Sequence, residues 1–447
     1  MENVDAAAAL SWEVIEQQLP PDWRKLADEH KLVRRNLQPH LGTKVTDIAQ
    51  ILRLVLYQVG SNAGLLAATA AFAASGMLSI SAIALHKWMR KLGPYLAEWV
   101  ARCVETDHQR FAPERWAGYS IVLVDASSVV CPGAKGTTAR VHKAIRLTDL
   151  RIRQVFVTDV TGGETLRRFD PAAGELWICD RGYANPPAIG WAVEHNADVL
   201  VRVNRGSLPL YDAHGSRIDV VQKASKLAKP GRARAWQAFV CVEGGRRIQG
   251  RLCATRIPAD KAEQARTRLR REQGPSVTEE SLAMADFVCL FTTVPRDRLL
   301  GEQVLALYGL RWQVELEFKR NKSLTGLDRL PNFRPDTIES WLYAKLLLHQ
   351  LLRRVSTDSA DFSPSDLARA TLIVDPRTAP RCPDCAAYVP CCAAAWLVRR
   401  TSVARHARGL EPRDQNHRAH HLWSRRILGR TLCRPHQARK QKDQASA

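Results

Sequence analysis

Two short apolar runs, each ending in a carboxylate, constrain the fold of this 447-residue chain more than any other feature. Ser120-Ile121-Val122-Leu123-Val124-Asp125 is rich in β-branched and aliphatic residues, the mark of a strand buried on both faces. Glu175-Leu176-Trp177-Ile178-Cys179-Asp180 repeats the pattern and runs into Arg181-Gly182-Tyr183, a glycine turn. Helical patterns lie between and around these runs, so the chain reads as α/β with both acids at the C-terminal ends of central strands. A sheet fixes the backbone there while the side chain projects into an open crevice, a position that suits catalytic carboxylates. Strand-end and turn positions also favour Asp for purely structural reasons. Asp159, after Val155-Phe156-Val157-Thr158, is a competitor of the same kind, placed in a hairpin before Thr161-Gly162-Gly163.

A third acid lies in Tyr308-Gly309-Leu310-Arg311-Trp312-Gln313-Val314-Glu315, with Lys322 seven residues on. The stretch predicts a single helix. At about 100° per residue, Tyr308, Arg311, Glu315 and Lys322 fall at roughly 0°, 300°, 340° and 320°, one narrow stripe, with Glu317 on the opposite face. A carboxylate flanked by cations and a phenol suits a divalent ion handling phosphates. Solvated i,i+4 pairing of Arg311 with Glu315 is the bland alternative. Trp312 suits stacking on an unpaired base or simple helix packing.

The spacing Tyr-x2-Arg-x3-Glu-x6-Lys resembles the Y-R-E-K signature of the IS4-type DDE transposases of bacterial insertion sequences, and Asp180-Arg181-Gly182-Tyr183 resembles that family's second-Asp motif. The resemblance covers roughly residues 10 to 355 and favours Asp180 over Asp159. It implies an RNase H-like catalytic core over 111–355 with a β-rich insertion at about 197–285. Asp125 and Asp180 would then lie on adjacent strands, with Glu315 on a helix packed alongside. His142 occupies a place where the family often has a His, although a hydrogen-bonded strand His explains it equally well. Hydrolysis of a phosphodiester by such a triad uses two Mg²⁺ (or Mn²⁺) ions, with Asp125 bridging and Asp180 and Glu315 each completing one. Arg311, Lys322 and Tyr308 would hold phosphates, and Arg181 would join the DNA contacts. The resemblance further implies cut-and-paste excision through a DNA hairpin, strand transfer into target DNA, terminal inverted repeats as partner, and a homodimeric synaptic complex. An inactive or domesticated DNA-binding descendant, and a host nuclease of the same core fold, are the competing readings.

Residues 1–110 read as helical, with Pro20-Pro21 closing the first helix and Asp47 to Tyr57 forming another. Ser61-Asn62-Ala63 reads as the cap of a helix to Ser75, and Ala82 to Leu92 as the next, carrying His86, Lys87, Arg90 and Lys91. Helix, glycine turn and helix with a basic end form a helix-turn-helix pattern, so Lys87 and Arg90 are candidate DNA contacts. An ordinary αα-hairpin has the same signature. The net charge of +21, from 66 basic and 45 acidic residues, favours a polyanionic partner such as double-stranded DNA.

Leu54 to Leu85 lacks charged residues but is rich in Ala, Gly, Ser and Thr, so no membrane span is expected. The acidic start Met1-Glu2-Asn3-Val4-Asp5 and the apolar settings of Cys103, Cys179, Cys241, Cys253 and Cys289 point to free thiols in a reducing bacterial cytoplasm, at the nucleoid. Within the insertion, Trp236–Val242 and Arg247–Ile257 read as a hairpin and Lys261–Gln273 as a charged helix; basic residues from Arg202 to Arg247 suit a phosphate backbone, or equally a solvated hairpin face. Pro335 to Arg354 is a final amphipathic helix, and 356–447 a basic tail, disordered or degenerate. Cys382, Cys385, Cys391 and Cys392 invite zinc but fit no finger spacing.

Overall fold

A computed structural model describes residues 12–32, 45–110, 115–330 and 335–358. The tail cysteines and most of the 356–447 segment lie outside the described residues. One eight-stranded sheet runs through the molecule in the order β3-β2-β1-β4-β5-β8-β7-β6. Its strands are β1 (Ser120–Val129), β2 (Ala139–Arg146), β3 (Ile152–Asp159), β4 (Glu175–Cys179), β5 (Asp198–Arg202), β6 (Arg234–Cys241), β7 (Arg247–Arg256) and β8 (Phe287–Thr292). β1, β4 and β5 are parallel neighbours and every other pairing is antiparallel. The β3-β2-β1-β4-β5 portion has the arrangement expected of an RNase H-like core.

β1 runs past Asp125 to Val129, so Asp125 lies mid-strand and not at a strand end as expected. The cause is β2, which pairs with β1 as far as Val129 opposite Ala139. Pairing with β4 stops at Val124 opposite Cys179, so the sheet opens on that side at the level of Asp125 and Asp180. Pairing of β1 with β4 thus ends where the sequence reading put the strand end, although β1 itself continues.

The residues 197–285 do not form a separate β unit. β5, at their start, belongs to the parallel core, while the β6–β7 hairpin continues the sheet through β8, which returns beside β5. Three helices accompany it, α7 (Val220–Ser225), α8 (Ala259–Gln273) and α9 (Glu279–Met284), after α6 (Pro186–Glu194).

Before the sheet come α1 (Trp12–Gln17), α2 (Trp23–Glu29), α3 (Ile48–Ser61), α4 (Leu65–Ala74) and α5 (Ala82–Arg110). Asp47 caps α3 by accepting from the Ala49 amide at 2.9 Å, with Gln50 bonding back to the Asp47 amide. Asn62 ends α3 in a left-handed conformation, and α4 takes Gly64 as its N-cap, so Ser61-Asn62-Ala63 closes one helix and does not open the next. α5 continues through Gly93-Pro94 well beyond the expected stop at Leu92. Its buried face repeats every three to four residues on both sides of the proline, as Leu85, Met89, Leu92, Leu96, Trp99 and Cys103, and that packing outweighs the amide hydrogen bond Pro94 cannot make.

After the sheet come α10 (Gly301–Gly309), α11 (Trp312–Thr325) and α12 (Pro335–Asp358). α3, α5, α11 and α12 cover one face of the sheet, sharing a core with Ile121, Leu123, Val141, Ile145, Leu176 and Ile178. α6 and α7 cover the other, with Val122, Val124, Ala144, Trp177 and Cys179. Strict alternation along β1 and β4 thus directs odd positions of β1 and even positions of β4 toward α11. No described helix is long and apolar enough to cross a membrane. Cys103, Cys179, Cys253 and Cys289 are buried free thiols, as expected, and Cys241 is half-buried.

Candidate active site

Alternation puts Asp125 and Asp180 on the same face as α11, and that helix brings Glu315 to them. The turn before α11 does much of the positioning. The single helix expected from Tyr308 to Lys322 is broken after Gly309, where Leu310, Arg311, Gln313 and Val314 each donate to the carbonyl three residues back, at 3.0–3.2 Å. This tight turn, at about three residues per turn, separates α10, which carries Tyr308, from α11, which carries Glu315 and Lys322.

Tyr308 donates from its hydroxyl to Asp180 Oδ1 at 3.2 Å. Arg311 donates to Glu315 Oε1 at 2.5 Å and lies 3.7 Å from Asp125 Oδ2. One guanidinium, 15% exposed, therefore stands between the first and third acids. Asp125 also accepts the Ala126 amide at 2.8 Å. Burial pushes its carboxyl up from 3.8 to about 6; the Ala126 amide and Arg311 pull it down, while Glu315 and Glu164 push it further up. Burial, and then the charge on Asp180, raise the Tyr308 phenol well above its ordinary value. Burial opposes the charge on Arg311, yet Tyr308, Glu315 and Asp180 together raise it above an ordinary guanidinium. Lys322 is half-buried two turns along α11, and Arg181 is exposed beside Asp180.

The other candidates lie apart. Lys87 and Arg90 are exposed on α5, and Arg90 is paired with Asp336 of α12 at 2.7 Å. Asp159, the competitor of Asp180, ends the edge strand β3 and accepts from the Thr161 and Gly162 amides, a turn role. His142 lies on the face away from α11, bonded to Thr158 Oγ1 at 3.0 Å, and burial takes it down to about 4.

Glu164 is a site neighbour that no spacing in the sequence marks. Its carboxylate lies over Gly182, where a Cβ would fall 1.9 Å from Oε2. The backbone of Gly182 is not left-handed, so what a larger residue there would meet is the end of the Glu164 side chain, which would have to move aside. Burial and then, despite Arg140, the neighbouring Asp180 keep the Glu164 carboxyl above its usual range. Glu317 and Lys143 were also missed as partners. Lys143 is the cross-strand neighbour of Asp125, and a buried Lys cannot be told from a surface one by strand alternation alone.

Asp125, Asp180 and Glu315 offer only hard carboxylate oxygens, the donor set Mg²⁺ and Mn²⁺ prefer over zinc. Burial raises the Asp125 carboxyl, and Arg311 offsets this only in part. Among the described residues no three Asp, Glu, His or Cys side chains converge on one ion as they stand. Glu315 is turned to Arg311 instead, through Oε1.

Residues 116–351 match the family of transposase DDE domains. The chain is 31% identical over 330 residues to the transposase for insertion sequence element IS421 of Escherichia coli, covering 72% of this chain and 88% of that protein. It is 30% identical over 329 residues to the InsL protein for insertion sequence element IS186A of Escherichia coli K12, with the same coverage. It is also 28% identical over 204 residues to the transposase for insertion sequence element IS231F of Bacillus thuringiensis subsp. israelensis, covering 42% of each.

Proposed function

Because the chain belongs to the DDE transposase family, we propose that it moves an insertion sequence by metal-dependent cleavage and joining of DNA, with Asp125, Asp180 and Glu315 as its catalytic acids. The observation that carries the assignment is the convergence of Tyr308 on Asp180 and of Arg311 on both Asp125 and Glu315. Two Mg²⁺ or Mn²⁺ ions held by the three carboxylates would supply the Lewis acidity that activates the attacking hydroxyl and stabilises the leaving oxygen.

The chain's own residues prepare the site for that chemistry. Tyr308 fixes the Asp180 carboxylate through one hydrogen bond. Arg311 neutralises Asp125 and Glu315 in the free protein. Released from Glu315, its planar fork would clamp the phosphate beside the scissile bond. Lys322 would hold a second phosphate, and the exposed Arg181 a third at the mouth of the crevice. Helices of residues 1–110 would bind the terminal repeat, with Lys87 on the backbone; Arg90 serves instead, or first, as a partner of Asp336. In this reading 111–355 is the catalytic domain. Water cuts the transferred strand, leaving a 3′-hydroxyl. That hydroxyl would attack a phosphodiester of the opposite strand, expelling the 3′-oxygen of the flanking DNA and closing a hairpin; water would reopen it, and the hydroxyl would then displace a 3′-oxygen in target DNA. Two protomers would pair the two element ends.

The test is Mg²⁺-dependent cleavage of a duplex carrying the element's own terminal repeat. Asp125→Ala, Asp180→Ala and Glu315→Ala are each expected to bind the duplex and leave it uncut. Wild-type cleavage by any one of them removes that residue from the triad, and binding without cleavage by the wild type favours a domesticated DNA-binding protein.

A further inference from the structure

Helix α11 is seated by buried polar groups more than by apolar ones. Its buried side chains are Val314, Glu317, Phe318, Asn321 and Thr325, of which only two are hydrophobic. Glu317 Oε1 accepts from Asn321 Nδ2 at 3.0 Å, bonds to His349 Nε2 of α12 at 2.9 Å and lies 3.8 Å from Lys143 Nζ of β2. Lys143, fully buried, donates to Asn321 Oδ1 at 2.8 Å. It is the cross-strand partner of Asp125, on the same face of the sheet. At the far end, Lys345 of α12 donates to the carbonyls of Thr325 and Gly326 at 3.0 and 2.7 Å, closing the last turn of α11.

We propose that Lys143, Glu317, Asn321 and His349 form a rotational lock, positioning residues that decide which face of α11 carries Glu315 to the crevice. The inference rests on Asp125 and Glu315 being catalytic acids. Side chains two apart on a helix point about 200° from each other. With Glu317 held down against β2 and α12, Glu315 must stand on the rim beside Arg311. Two apolar anchors alone would let the helix roll by a ridge at little cost, because Val314 and Phe318 accept any greasy neighbour. The polar groups have specific partners, and a buried donor or acceptor that loses one is penalised, so rolling is resisted. Lys143 ties this orientation to β2, opposite Asp125 on the neighbouring strand β1, and His349 ties it to the helix behind.

The double variant Lys143→Met/Glu317→Leu removes both charges together, so that only the neutral Asn321 and His349 lose hydrogen-bond partners. It is expected to melt cooperatively and to bind the terminal repeat as the wild type does. Cleavage per folded molecule should fall about a hundredfold, the effect of roughly 1 Å of misplacement. A second readout does not depend on turnover. Fe²⁺ with ascorbate and peroxide, used in place of Mg²⁺, cuts the polypeptide wherever a side chain holds the ion. The wild type should be cut beside Asp125, Asp180 and Glu315; the double variant should lose the Glu315 cut and keep the other two. Glu317→Gln, which still accepts hydrogen bonds, should retain all three. A merely structural role would lower the melting temperature and leave the cutting pattern intact, and that result overturns the lock. If the double variant does not fold, His349→Leu removes one partner from the other side, and an unchanged Glu315 cut in it overturns the lock equally. Failure of the lock and of the active-site reading are separable. A wild type that is not cut beside Glu315 refutes the site and the lock with it, whereas cuts beside Glu315 in both proteins refute the lock alone.

Discussion

Asp125→Asn is expected to stabilise the protein while ending its chemistry. The Asp125 side chain is 21% exposed, and burial takes its carboxyl from 3.8 up to about 6. The unfolded chain gives up this proton near pH 4 and the folded protein keeps it to about pH 6. Between those values the folded state binds more protons, so stability falls as pH rises. The penalty is absent below about pH 4 and complete above about pH 7. The gap between 3.8 and about 6, at about 1.4 kcal/mol per tenfold change in proton affinity, amounts to about 3 kcal/mol. The attraction of Arg311 is already contained in that net shift, and screening by water at the partly exposed carboxyl reduces the gain on substitution to about 2 kcal/mol. Asn retains an oxygen for the Ala126 amide, so no donor is stranded. Urea unfolding of both proteins at pH 4 and pH 8 reads the difference. The two should coincide at pH 4, and the variant should be the more stable at pH 8. Mg²⁺ should narrow the gap at pH 8 by stabilising the wild type alone. Parallel pH curves, or a variant less stable at pH 8, would mean that Arg311 outweighs burial, and the reasoning would fail.

Tyr308→Phe deletes one hydrogen bond to Asp180 and should slow single-turnover cleavage about tenfold, as expected for about 1–1.5 kcal/mol felt in the transition state; a loss beyond a thousandfold would give the phenol a part in the chemistry. Gly182→Ala places a methyl group against the Glu164 carboxylate and should reduce cleavage, with Glu164→Ala restoring it in the double variant; absence of rescue would place the conflict elsewhere. In terminal-repeat binding across a salt series, Lys87→Ala and Arg181→Ala should each lower the slope of log affinity against log salt by about 1, while Arg90→Ala changes it less because Asp336 already pairs with Arg90. Asp47→Ala removes the cap of α3 and should lower stability by about 1 kcal/mol, read by thermal melting, with no change in cleavage by the folded protein.

The end of pairing between β1 and β4 was legible because both strands carry the same local signal. Apolar β-branched runs ending in Asp predict strands that stop being paired on one side, and β1 and β4 do separate at Val124 and Cys179. The boundary of β1 was not legible, since its continuation to Val129 depends on a partner strand that local sequence does not name. The same holds for α5. Gly93-Pro94 is a stop signal in isolation, but the buried stripe from Leu85 to Cys103 packs against neighbouring helices whose presence the proline does not register. Tyr308, Arg311 and Glu315 do meet the two aspartates or one another, but through another geometry than the one expected. One regular helix would align them on a stripe, whereas the tight turn at Leu310-Arg311 divides them between two helices that converge on the acids.

Glu317 shows what periodicity leaves out. The helical wheel placed it opposite Glu315, and that is where it lies, yet the wheel alone makes an opposed glutamate a solvent residue. Here the opposite face is the inside. Although burial works against its charge, His349 and Lys143 hold the Glu317 carboxyl well below its usual range, so it is buried as an anion with partners from β2 and α12. Two carboxylates two residues apart thus have opposite settings. Glu317 is ionised and enclosed with partners on several sides, and Glu315 is 43% exposed with a single partner, Arg311, that it can give up. A side chain that must exchange an arginine for an ion and a phosphate needs a backbone that does not move while it does so. Breaking a buried pair by removing one partner costs about 3–5 kcal/mol. That penalty opposes displacement of the α11 backbone, so any exchange of partners at Glu315 would be confined to its side chain.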